Sequence, residues 1–207
     1  MMGRPATLDA VLTDPRVWRG RGAGSAPATV PSGHAPLDTV LPGGGWPRHA
    51  ISEILIPADG HGELQLVLPA LAALAGAHAM VALIDPPYMP FAPAWQRQGV
   101  DTAGLAIVDS GNKDSLWAAE QCLRSGACAA VVLWPRQVSQ TQLRRLQVAA
   151  ESGRSMGFVY RDARCASQAS PAAVRVQVNP GPRGLQVLKC RGGNRPATGI
   201  PLPERVH

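Results

Sequence analysis

The sequence predicts an α/β domain built on a mainly parallel central sheet with helices on both faces. Three observations lead there. Strand-like and helix-like segments alternate along most of the chain. The strand candidates at 51–56, 80–85, 104–109, 128–134 and 156–160 are continuous apolar runs, as strands buried on both faces require. Near the end the pattern changes to alternation: "AAVRVQV" and "LQVLKC" flank the turn "NPGPRG", which predicts an antiparallel hairpin extending one edge of the sheet.

Taken in order, residues 1–36 are rich in Pro, Gly, Ala and Ser and read as a flexible N-terminal arm, with a short helix near Leu8–Leu12. Val17 and Trp18 are the arm's candidate anchors for a partner surface. The domain proper is placed at 37–192. "LDTVL" is a short helix stopped by Pro42 and the glycines at 43–45. A strand at 51–56, a small-residue loop and a helix at 62–77 follow, then a strand and a short helix within "PFAPAWQRQG". The segment 112–126 is an amphipathic helix with Leu116, Ala119 and Leu123 on one face and Gly126 as its stop. The helix at 139–153 is capped by Ser139 or Thr141. Residues 193–207 read as a flexible Gly/Pro-rich tail with Ile200 and Leu202 as further anchors.

The net charge of +6 is unevenly spread. Residues 136–207 carry twelve basic and three acidic side chains (+9), whereas residues 1–135 carry eight basic and eleven acidic ones (−3). That split suggests an acidic or polyanionic partner for the C-terminal half. Arg144, Arg145, Arg161, Arg164, Lys189, Arg191 and Arg195 are its candidate contacts, and DNA phosphates or an acidic protein fit them equally. No run nears the roughly 18 apolar residues of a membrane span, and the N-terminus lacks the apolar core of a secretion signal. Cys122, Cys128, Cys165 and Cys190 have irregular spacings and read as reduced thiols, so a cytoplasmic location is expected.

The stretch "EILIPADGHGELQLVLPAL" has the strand–turn–helix layout of a phosphate-binding loop, with Pro57, Gly60, Gly62, Glu63 and Leu64 as its positions. Where Lys and Ser or Thr would hold phosphate and magnesium stand Glu63 and Leu64. One charge pair about 4 Å apart at an effective dielectric near 20 is worth roughly 4 kcal/mol of either sign. Glutamate therefore repels the phosphates that lysine would attract. His61 with Asp59 and Glu63 forms no metal-binding spacing, and Ser52, Ser110 and Ser115 lie in no nucleophile elbow. Asp85 and Asp109 end strands and are expected to cap the helices that follow.

With these segments in place the chain resembles the RecA-type ATPase core and, within it, the ImuA family of SOS mutagenesis proteins. "LPGGGWPRHAISEIL", "ALIDPPYMPFAPAWQRQGVD", "LRSGACAAVVLW" and "GFVYRDAR" carry the RecA resemblance; Trp-Arg-Gly at 18–20, "LPGGGWP" and "HGELQLVLPAL" carry that to ImuA. The resemblance implies a degenerate enzyme. Glu63 stands for the phosphate lysine, Pro87 for the carboxylate that orients water, and Trp134 for the acid holding the metal's water shell. The segments at about 135–139 and 162–172, matching the RecA DNA loops, are short. No cofactor is expected. The implied function is a non-catalytic accessory factor for error-prone translesion synthesis. Its partners would be ImuB, RecA and, indirectly, an alternative C-family DNA polymerase, with direct DNA contact and self-association left open. A SulA-like division inhibitor binding FtsZ is the alternative.

Overall fold

The computed structural model describes residues 28–60, 63–75, 80–111, 113–181, 184–193 and 196–203. A two-stranded antiparallel pair, β1 (Thr29–Val30) with β2 (Trp46–Pro47), brackets the short helix α1 (Ala35–Asp38). The main sheet comprises β3 (Ile51–Ile56), β4 (Met80–Ile84), β5 (Leu105–Val108), β6 (Cys128–Leu133), β7 (Met156–Asp162), β8 (Val174–Val178) and β9 (Leu185–Cys190). Its seven strands run in the order β5-β4-β6-β7-β3-β8-β9. All neighbours are parallel except β8 and β9, the predicted edge hairpin.

The continuous apolar runs are explained by two cores, one on each face. Ile54, Val132 and Phe158 point into one core; Ile51, Val131 and Val159 point into the other, following the two-residue period of a strand. Helix α2 (Leu68–Ala75) and the β1–β2 pair cover the first face with Leu71, Leu74, Val30 and Trp46. Trp46 is fully buried, its Nε1 donates to the Leu66 carbonyl at 2.9 Å, and its ring meets Phe158 edge-on at 5.5 Å. Helix α3 (Ala92–Arg97) adds Trp95.

Helices α4 (Ser115–Ser125) and α5 (Gln140–Gly153) cover the second face. On α4, Ala119 and Leu123 are buried and Leu116 packs partly buried against them; Gly126 ends the helix at φ 71°. On α5, Ser139 and Gln142 form a reciprocal capping box, so Ser139 rather than Thr141 is the cap. The two helices approach so closely that a Cβ at Gly153 would collide with the Leu123 carbonyl oxygen.

Two expectations need correction. Residues 28–36 join the body through β1 instead of the arm, because Val30 is buried and pairs with Trp46. Ile200 is buried and bridges Leu185, with hydrogen bonds of 2.7 and 3.0 Å in both directions, and Leu202 packs beside it. These two residues therefore complete the chain's own core and are not free anchors. Val17, Trp18 and the helix near Leu8–Leu12 lie outside the described residues. No helix among the described residues is long and apolar enough to cross a membrane.

Candidate functional site

In an open parallel sheet, ligands sit beyond the carboxyl ends of strands where successive connections diverge. Here β3 and β4 are separated by β7 and β6, so the loops leaving β3 and β4 part company around a cleft. A cavity of about 560 Å³ lies there, lined by the ends of β3, β4, β6 and β7.

The loop that follows β3 closes on itself beside this cleft. Glu63 opens a 3₁₀ turn (Glu63–Leu66) and is buried, and its Oε1 accepts the Gly60 backbone N–H at 3.0 Å. The carboxylate thus holds a loop amide of the kind that would otherwise face a phosphate oxygen. Its Oε2 has no hydrogen-bond partner among the described residues. Leu64 packs against the first core, Pro57 is exposed at the cleft, and Gly62 and His61 lie outside the described residues.

Pro87, exposed, and Trp134, half-buried, also line the cleft. Trp134 stacks on Tyr160, centroids 5.0 Å apart and 5° from parallel, and the Tyr160 hydroxyl donates to the Glu63 carbonyl at 3.2 Å. Burial, and secondarily the Glu63 charge, hold the Tyr160 phenol well above its usual pKa. Partial burial and then Glu63 raise the Asp59 carboxyl. Asp85, at φ 47°, accepts from both the backbone and the hydroxyl of Ser110 (2.7 and 2.6 Å), and Asp109 accepts from the Gly111 amide. Asp85 thus ties the loop after β4 to the loop after β5, Asp109 closes a turn within its own loop, and neither caps the next helix.

The cation candidates do not form one surface. Arg161 is buried: with Arg175 it pairs with Glu53, which is fully buried, at 2.6 and 2.5 Å. This corrects its placement among the exposed contacts. Arg161 also donates to Gln168, and Arg175 to the carbonyls of Cys165, Ala166 and Gln168, so the triad holds the segment that follows β7. The sequence signal was available: one acid and two bases inside otherwise apolar strands must pair to be buried. Arg145 pairs with Glu120, and Arg164 with Asp162, whose carboxyl is lowered to about 2 by hydrogen bonds from Arg164. Arg144 is exposed on α5.

Lys189 and Arg191 sit at the opposite, amino edge, where they donate to the Ser170 and Pro171 carbonyls. Burial and then Arg191 lower the Lys189 pKa. Arg191, Arg48 and His49 line a second cavity of about 280 Å³ at that edge. Burial, then Arg154 and Arg48, lower the His49 pKa. Sequence reading missed Arg48, His49 and Arg154 because two separate loops, far apart in the chain, bring them there; Arg195 lies outside the described residues. All four cysteines are free, and no group of three metal-ligating side chains occurs among the described residues.

No family model matches the chain. Among curated proteins it is 33% identical to Protein RecA of Bacillus pumilus over 143 residues, 64% of this chain and 41% of that protein. It is 35% identical to Protein RecA of Picosynechococcus over 107 residues, covering 51% of this chain and 30% of that protein. The chain thus spans well under half the length of these relatives, and within that span its core is RecA-like. Among solved structures, SulA from Pseudomonas aeruginosa superposes with a TM-score of 0.44 at 22% identity, covering 53% of this chain and 96% of that one.

Proposed function

We propose that this chain is a non-catalytic RecA-like accessory factor of bacterial DNA-damage tolerance. In this reading it is an ImuA-type adaptor that supports error-prone translesion synthesis by docking ImuB, RecA or DNA, with no nucleotide cofactor. The observation that carries the proposal is the Glu63 carboxylate resting on the Gly60 amide in the loop that follows β3. A phosphate entering that loop would meet a buried negative group where an ATPase supplies lysine, and Pro87 and Trp134 offer neither a base nor a metal acceptor in the same cleft. The partial likeness to RecA supports the setting, and the arginines of the amino edge suit phosphate contacts that read no sequence.

The test is capture by the immobilised full chain of ImuB, RecA and FtsZ from the same organism, with nuclease present. Retention of ImuB or RecA without FtsZ is expected. Retention of FtsZ alone would move the chain to division control and contradict the reading.

A further inference from the structure

The cleft at the carboxyl edge has the chemistry of a receptor for a cation. Asp59, Asp85 and Asp109 all line it, and none of them has an ion-pair partner among the described residues. Of the two arginines in its wall, Arg161 is buried and held by Glu53, which it shares with Arg175, and this leaves Arg136 as the exposed positive charge. The stacked Trp134 and Tyr160 rings form an aromatic wall of the same space, and an indole face is the strongest aromatic site for a cation. The acids do not converge tightly enough to hold a metal ion. An extended organic cation, reaching several of them along an aromatic wall, is the fitting occupant.

The rim identifies what carries that cation. Tyr88, Met89 and Phe91 are 72%, 76% and 65% exposed in one short segment whose proline neighbours, Pro86, Pro87 and Pro90, fix its backbone. Met89 itself borders the cleft. Exposed apolar side chains grouped beside a polar cavity mark a protein-binding surface. We infer that the former nucleotide cleft binds an arginine or lysine side chain of a partner protein, taken from a segment whose neighbouring apolar residues pack on Tyr88, Met89 and Phe91. This deepens the adaptor reading and rests on it only in making the occupant a protein.

The experiment uses the full chain and a fluorescein-labelled peptide of alternating leucine and arginine, read by polarisation, with the leucine–glutamate peptide and Mg·ATP as competitors. Saturable binding of the arginine peptide is expected, with no competition from either. The exposed double variant Asp59→Asn/Asp109→Asn should weaken it about tenfold, the sum of two exposed charge contacts. Arg136→Glu should tighten it several-fold, a gain that misfolding cannot produce. Equal binding of the glutamate peptide, displacement by Mg·ATP, no binding, or indifference to both variants would each overturn the inference. Capture of ImuB or RecA alongside any of these results would leave the adaptor reading standing and this cleft excluded.

Discussion

At the carboxyl edge of the sheet, Asp59, Asp85 and Asp109 surround one cleft, while at the amino edge Arg48, His49 and Arg191 line another and Arg154 stands close enough to lower His49. The difference follows from how a parallel α/β sheet is built. Helices α2, α4 and α5 begin after strands end, so their positive ends lie toward the carboxyl edge and their negative ends toward the amino edge. An ATPase leaves the positive end to a phosphate. In this chain the Glu63 carboxylate takes the Gly60 amide in the loop ahead of α2, and at the other edge Arg154 stands at the C-cap of α5. The cavity, the stacked rings and the exposed apolar rim are what distinguish the carboxyl edge as a site.

The sharpest way to break the comparison is to remove what holds the carboxyl edge in shape. Glu53→Ala leaves two buried guanidinium groups unpaired and should cost about 3–5 kcal/mol. Urea unfolding would measure it, and limited proteolysis should find new cleavage near 162–170 first. If stability is unchanged, the triad does not position that end. On the helical face between the two edges, Gly153→Ala forces a methyl against the Leu123 carbonyl and should cost about 1–3 kcal/mol by displacing α5 from α4. A thermal melt within error of the parent would contradict that packing.

A smaller effect separates the two edges by pH, with opposite signs. His49 has a lowered pKa in the fold, so the unfolded chain binds more protons around and below pH 6.5. Stability at the amino edge therefore rises as pH climbs toward 6.5, and His49→Gln should flatten that limb of a pH–denaturation series. Asp59 has a raised pKa, so the folded state holds its proton longer. Its contribution falls as pH rises through and above about 3.8, and Asp59→Asn should remove the decline. Limbs of the same sign at both sites would contradict the assigned environments.

Much of this architecture was legible in the sequence because it depends on local pattern. Apolar runs specify strands buried on both faces, Gly126 and Ser139 mark helix ends, and the alternation at 172–190 specifies the hairpin. What escaped depends on pairing between distant segments. The order β7-β3-β8 puts Glu53 beside Arg161 and Arg175, which turns a surface arginine on paper into a buried partner. The same long-range geometry sends Arg164 and Arg191 to opposite edges, and draws Ile200 back onto Leu185. At the loop, the sequence identified the substitution at Glu63 but not that its carboxylate would take the Gly60 amide.

The proposal that carboxylates replace anion binding at the carboxyl edge stands or falls on nucleotide binding. Titration of the purified full chain with a fluorescent Mg·ATP analogue, followed by a phosphate-release assay on the same sample, tests it most directly. No saturable binding and no release above buffer are predicted. Saturable binding with turnover that disappears in Glu63→Ala would show that Glu63 serves a working nucleotide site, and would contradict it.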